Sequence, residues 1–358
     1  MSLLTATPDT TGLAAGVSVA GWGTAVPRRR VTNHDLARHL ETSDEWIVER
    51  SGIRERRWAG AGESTGPLSV AAARDALARA GVTPAELDVV VVATATPEMP
   101  LPSTAALVAA ELGATAGAFD INAACAGFVY GLTMVSTLVS SGVARTALLV
   151  GADTMTSIVD PEDRGTAVLF GDGAGAVVLT GDARGGVTPF ARTPGLVAGD
   201  LVGDPAGVDL LVVPAGGSGR PATAATVAAG EHYLRMDGRE VFRRAVRAVA
   251  ASIDRTLARA GCTADDVALF VPHQANARIV DAVLARTGLA PERTSSTIDR
   301  FGNTSAGSIP IALAEAADAG TVAAGDLVLM CGFGAGLTVG TALWRWDTPA
   351  PSTRGMHE

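Results

Sequence analysis

The feature that most limits what this chain can fold into is an internal repeat. Leu77-Ala78-Arg79-Ala80-Gly81 returns 180 positions later as Leu257-Ala258-Arg259-Ala260-Gly261, and each copy leads through a threonine and an acidic residue to an apolar run. The same shift carries Ala126-Gly127 onto Ala306-Gly307, and Gly173-Ala174-Gly175 reappears as Gly334-Ala335-Gly336. A chain of 358 residues written twice over is expected to fold as two copies of one unit, residues 1–185 and 186–358. Chemistry then gathers where the copies meet.

Each unit reads as α/β. The run Val89 to Ala93 is uninterrupted by polar residues, which marks a strand buried on both faces, and Thr146 to Gly151 repeats the pattern. Val17 opens a first strand that ends by Pro27, and helical patterns cover 68–80, 103–113 and the stretch from Cys125 to Ser141. Helix starts with Ser/Thr/Asp caps follow Thr32 and Thr42. Phe170 to Leu179 reads as a glycine-rich turn entering a strand, and 181–232, rich in Gly, Pro and Asp, as surface loops. Residues 1–15 and 347–358 read as a loose leader and a tail.

Within this frame Ala123-Ala124-Cys125-Ala126-Gly127-Phe128 packs small residues around one thiol, between a strand end at Phe119 to Asn122 and a helix opening at Val129. Free N–H groups and the positive end of the helix dipole at such a turn favour a thiolate, so Cys125 is a candidate nucleophile. A buried structural cysteine is the alternative. The repeat places His273, in Val271-Pro272-His273-Gln274-Ala275-Asn276, at a strand's carboxyl end, and Asn303, in Phe301 to Gly307, in the turn equivalent to that of Cys125. Three polar groups therefore converge by topology. Trp46 and Arg50, four apart, share a helical face that either sandwiches a flat ring such as adenine or covers core.

Composition removes competing chemistries. All 28 basic residues are arginine, which excludes a Schiff-base lysine, a Ser-Lys dyad and a phosphate-loop lysine. Cys125, Cys262 and Cys331 form no CxxC pair, so neither a zinc site nor a disulfide framework is expected. A net charge of −9 with 4% aromatic residues argues against nucleic acid as a partner. Apolar runs stay below membrane-spanning length, and a cytoplasmic location is expected.

From about Val19 to Arg345 the sequence resembles the ketoacyl synthase III family, thiolase-fold condensing enzymes that begin fatty acid synthesis. The resemblance rests on Thr42 to Arg50 with Ser51-Gly52-Ile53-Arg54, Ala123 to Phe128, Asp163-Arg164-Gly165 leading to Phe170 to Gly175, Val271 to Asn276, and Gly302 to Ala306. It implies a thiolase-like five-layer αβαβα fold of two duplicated halves in a homodimer. It also implies decarboxylative condensation of an acyl-CoA primer with malonyl-acyl carrier protein, coenzyme A being part of a substrate and no cofactor or metal being required.

Carried over by position, Cys125 is similar to the acyl-accepting nucleophile, and His273 and Asn303 to the pair that assists decarboxylation. Trp46 and Arg164 resemble the residues that hold adenine, with Arg50 near the phosphates. Thr42 and Asn276 fall in motifs grouped with the coenzyme A and substrate contacts, and Gly238 and Phe242 resemble channel lining. The backbone N–H groups of Cys125 and Ala335 match the oxyanion hole, where relatives often carry glycine at the latter. Arg243 and Arg278 match positions associated with carrier-protein docking. Leu101 stands where some relatives place a phenylalanine that enters the partner subunit's acyl pocket, so a primer longer than acetyl, or branched, is expected. The rival expectations are an acyltransferase of the same fold, a noncatalytic acyl-CoA or carrier-protein binding subunit, and a papain-like hydrolase, which also uses Cys, His and Asn.

Overall fold

The strands Val89–Ala93 and Leu327–Gly334 are buried along their whole length because helices cover both faces of each. The computed structural model describes residues 14–181 and 193–347. The first strand sits in a five-stranded sheet ordered Val17–Ala25, Asp172–Gly181, Thr146–Thr154, Val89–Ala93, Gly117–Ile121. The second sits in a sheet ordered Ala14–Ala15, Gly195–Gly203, Thr338–Arg345, Leu327–Gly334, Val267–Pro272. In both, the strands on the inner parallel side pair as Val89–Ala93 with Thr146–Thr154 and Val267–Pro272 with Leu327–Gly334.

Helices Gly127–Ser140 and Ser308–Asp318 lie between the sheets and contact strands of both. Their Phe128, Leu132, Val135, Ile309 and Leu313 join one apolar cluster with Val91, Leu149, Val271 and Met330. Helices Thr65–Ala80 and Thr104–Leu112 cover the outer face of the first sheet, and Gly238–Ala260 and Ala277–Thr287 that of the second. This is the five-layer αβαβα arrangement. The repeated pentapeptides end their helices identically, at left-handed Gly81 (φ 64°, ψ 28°) and Gly261 (φ 64°, ψ 27°), where a residue with a Cβ is strained.

Several expectations from the sequence are corrected. The stretch 181–232 contains Gly195–Gly203, a nine-residue strand inside the second sheet and the counterpart of Val17–Ala25. Phe170 to Leu179 contains the expected strand but not the glycine-rich turn before it: Gly173 and Gly175 lie within the strand Asp172–Gly181. A Cβ on Gly175 would meet the Pro310 carbonyl carbon at 2.8 Å, so these glycines serve close approach of the helix Ser308–Asp318. Gly334-Ala335-Gly336 instead ends the strand that corresponds to Thr146–Thr154 and is not its counterpart. The expected leader is shorter than 1–15, since Ala14–Ala15 pairs with Leu196 and Gly195 at the edge of the second sheet. Residues 1–13, the boundary at 185/186 and most of the tail, 348–358, lie outside the described residues.

Gly151 is among the glycines at which the halves meet. A Cβ on Gly151 would fall 2.3 Å from the Ala306 carbonyl oxygen, a backbone atom that cannot rotate away. Gly151→Ala is expected to force the first sheet off the 305–307 turn and to cost about 3 kcal/mol or more. Thermal unfolding checks this, and an unchanged midpoint would contradict it.

Candidate active site

The two halves build the same turn at the start of their central helices. In the first, Asn122 Oδ1 accepts from Ala124 N–H at 3.1 Å and Ala124 takes a left-handed φ of 47°. In the second, Asn303 Oδ1 accepts from Ser305 N–H at 2.9 Å and Ser305 takes φ 50°. Asn303 is thus the counterpart of Asn122. The register here is one residue longer than the sequence repeat indicated, because Gly127 corresponds to Ser308 as first helical residue. With Oδ1 engaged, Nδ2 is the end of the Asn303 amide not committed to this turn.

The backbone of Asn303 is clamped from a third element. Its N–H donates to Leu169 O at 2.9 Å and its carbonyl accepts from Gly171 N–H at 3.0 Å. Arg56, wholly buried, anchors that segment by donating from Nη2 to Val168 O at 2.6 Å and from Nη1 to Asn33 Oδ1 at 2.8 Å. Burial pushes its guanidinium down to about 10, which leaves it charged at neutral pH.

Cys125 is 6% exposed, and burial pushes its thiol up to about 12. The Ser305 hydroxyl, donating to Sγ at 3.2 Å, opposes that rise, the negative charge of Asp153 adds to it, and the Cys125 N–H against its own sulfur reduces it. The resting group is therefore a thiol, contrary to the expectation from the helix terminus. A helix dipole is worth up to about 2 kcal/mol, or roughly 1.5 pH units, and burial outweighs it here. Asp153 is itself satisfied: Oδ1 accepts from Thr94 and Thr96 hydroxyls and the Ala95 and Thr96 N–H groups, and Oδ2 from Ala306 N–H at 3.0 Å.

His273 follows the strand Val267–Pro272, its N–H donating to Cys331 O at 2.8 Å. The ring stands edge-on to Phe333, centroids 5.4 Å apart. Its Nδ1 lies 2.6 Å from Ser308 Oγ, which also accepts from Gln274 N–H at 3.3 Å. This contact fixes the ring's orientation through Nδ1 and leaves Nε2 as the nitrogen not engaged by Ser308. Burial pushes the imidazole down to about 3, so it is neutral at working pH.

Cys125, His273 and Asn303 line one cavity of about 350 Å³ together with Trp46, Arg50, Gly238, Phe242, Asn276, Phe333 and Gly334. Asn276 Nδ2 ties the cavity wall to Arg50 O at 2.9 Å. Trp46 packs against the apolar cluster of Leu36, Ile47 and Val168, as a residue that covers core does, and it also lines the cavity. Arg164 stacks on the Trp46 ring at 5.0 Å and donates to Glu41 O at 2.8 Å. An intervening flat ring needs about 7 Å, two van der Waals spacings, so the guanidinium must swing away to admit one.

The remaining expected site residues lie off the cavity. Thr42 does not line it, and its Oγ1 is buried without a hydrogen-bond partner among the described residues. Leu101 is 85% exposed and far from lining its own chain's cavity. Ala335 follows Gly334 outside the lining, and its φ is not positive, unlike those of Gly336 and Leu337. Arg243 is bound by Glu240 at 2.6 Å, and Arg278 sits 5.9 Å from the Phe242 ring. Ser305, Ser308 and Phe333 were not singled out by sequence reasoning. Among the described residues no group of His, Cys, Asp and Glu could hold a metal, and no helix is long and apolar enough to cross a membrane.

Residues 119–192 match the family described as 3-oxoacyl-(acyl-carrier-protein) synthase III, and residues 257–346 match its C-terminal part. The β-ketoacyl-(acyl-carrier-protein) synthase III of Symbiobacterium thermophilum is 48% identical over 92% of this chain and 98% of that protein. A 3-oxoacyl-(acyl carrier protein) synthase III crystal structure from Pseudomonas aeruginosa is 44% identical, with a TM-score of 0.84 over 94% of this chain and 100% of that one. The priming β-ketosynthase of a polyketide biosynthetic pathway is 38% identical, with a TM-score of 0.84 over 94% of this chain and 98% of that one.

Proposed function

Because the chain belongs to the 3-oxoacyl-(acyl-carrier-protein) synthase III family, we propose that Cys125 takes an acyl group from acyl-CoA and that His273 and Asn303 drive its condensation with malonyl-acyl carrier protein. The product is a 3-oxoacyl-acyl carrier protein, the first step of fatty acid or polyketide synthesis. The convergence of the three side chains on one buried cavity carries this reading.

In the first half-reaction the Cys125 sulfur bonds to the thioester carbon, the bond to coenzyme A sulfur breaks, and the thiol proton ends on the departing thiol. In the second, the malonyl thioester oxygen accepts from His273 Nε2–H and Asn303 Nδ2–H. Loss of carbon dioxide leaves an enolate, and each well-placed donor lowers that barrier by about 2.7–4 kcal/mol. The enolate carbon attacks the acyl-enzyme carbonyl, whose oxygen is held by the N–H groups of Cys125 and Ala335, and collapse frees Cys125. Retention of both His273 and Asn303 favours condensation over transfer to a hydroxyl or amine. The test is product analysis with and without malonyl thioester. A ketone product only in its presence is expected, and turnover with an alcohol or amine in its absence would instead indicate an acyltransferase.

For coenzyme A, Trp46 and Arg164 supply the two faces for adenine, Arg50 the phosphate contact, and Gly238, Phe242 and Asn276 the channel wall, with Thr42 supporting the Trp46 helix from its N-terminal side. Trp46→Ala is expected to raise the KM for acyl-CoA about tenfold while leaving kcat nearly unchanged, since stacking contributes about 1–2 kcal/mol in both ground and transition states. Steady-state kinetics check it, and a fall in kcat alone would count against adenine stacking.

The unpaired outer edge of Gly117–Ile121 and the exposed Leu101 support a homodimer in which Leu101 borders the partner's acyl pocket. A primer larger than acetyl follows, and a strong preference for acetyl-CoA over isobutyryl-CoA would contradict it. Arg243 and Arg278, on neighbouring outer helices, supply the cations for an acidic carrier protein. The reading needs no cofactor and places the enzyme in the cytoplasm.

A further inference from the structure

We propose that the Ser305 hydroxyl is a catalytic group, donating its hydrogen bond to Cys125 Sγ and stabilising the negative charge that gathers on sulfur during attack on the thioester. The contact is 3.2 Å, and both residues are buried. Ser305 is absent from the cavity lining, so its hydroxyl reaches the sulfur from the protein side, opposite the face a substrate uses.

The hydroxyl is aimed by backbone it does not itself hold. Ser305 sits at φ 50°, its N–H donating to Asn303 Oδ1 at 2.9 Å, and the next N–H, of Ala306, donates to Asp153 Oδ2 at 3.0 Å. The twin turn of the first half takes the same left-handed conformation with alanine, Ala124 at φ 47°. Serine is therefore not required by the turn. A neutral thiol sulfur is a weak acceptor and a poor return for burying a hydroxyl, whereas a thiolate is a strong one. The placement makes sense when charge is on sulfur.

This inference rests on acyl transfer through Cys125. In that step the Sγ–carbon bond forms, the carbon–sulfur bond to coenzyme A breaks, and the thiol proton passes to the coenzyme A sulfur, so no oxidant or reductant enters. Ser305 keeps its own proton throughout.

The test is Ser305→Ala in the full chain, with Ser305→Gly as a second variant because glycine takes the left-handed conformation freely. Alkylation of Cys125 by iodoacetamide is followed by mass spectrometry between about pH 7 and 9, and release of coenzyme A in the first turnover is followed in parallel. Both variants are expected to alkylate about tenfold more slowly at each pH and to acylate about tenfold or more slowly, the effect of one hydrogen bond to a charged group. Alkylation rates that coincide with the parent protein at every pH would overturn the assignment, even if acylation falls. Alkylation needs no acyl substrate, so slowed alkylation in a protein that releases no coenzyme A would instead count against the acyl-transfer reading.

Discussion

Cys125→Ala is expected to take up no acyl group and to lose condensation by on the order of 10⁶, the cost of removing a nucleophile from a group of residues that act together. The neighbouring thiols cannot substitute. Cys331 is buried, pushed up to about 12 by burial and bonded to the Thr341 hydroxyl, and Cys262 lies beyond the outer face of the second sheet. The variant retains His273 and Asn303, so malonyl thioester decarboxylation persists in it. Separate assays of acyl uptake and carbon dioxide release check both halves of the statement. Acyl uptake at parental level would remove Cys125 from the mechanism.

His273→Ala is expected to do the reverse. Acyl uptake continues, and decarboxylation falls roughly 10²- to 10³-fold with the loss of one donor to the enolate oxygen. The pH behaviour follows from the same ring. Burial lowers the folded-state value from 6.5 to about 3, so imidazole is neutral in the folded protein throughout that window while the unfolded chain binds a proton. Stability contributed at this site is therefore present above about pH 6.5 and declines as pH falls toward about 3. The decarboxylation rate should show no acid limb near pH 6.5 in the parent protein, and His273→Ala should lose less stability between pH 7 and 4. An acid limb near 6.5 that disappears in the variant would mean the ring is charged where it is needed neutral.

The duplication was legible because two local codes repeat with it. The Leu-Ala-Arg-Ala-Gly helix ends and the valine- and leucine-rich strands are set by short-range chemistry, capping and burial on both faces. Gly195–Gly203 was missed since its turn-like glycines outweigh its apolar residues in the sequence, although neighbouring strands on both sides hold it in the sheet. The glycines of Asp172–Gly181 misled in the same way: the requirement they meet is a helix pressed against the strand, which only the packed structure reveals. The second half's fifth strand, the counterpart of Gly117–Ile121, is reduced to a single bridge from Phe270 to Thr294. At the site, Cys125, His273 and Asn303 were readable from strand-end and turn positions. The thiol's protonation was not, because it depends on how completely the fold removes water. Ser305 and Ser308 were hidden too, since a serine's role is fixed by what lies within hydrogen-bond reach, Cys125 across the interface of the halves for Ser305 and His273 in the same half for Ser308.

Intact-protein mass spectrometry tests the central claim most directly. The protein is incubated with a panel of acyl-CoAs, peptide mapping locates the adduct, and malonyl-acyl carrier protein is then added. One acyl mass on Cys125, discharged only by the malonyl thioester and recovered as a 3-oxoacyl-acyl carrier protein, is the predicted result. An adduct on another residue, or one that malonyl-acyl carrier protein leaves in place, would contradict it.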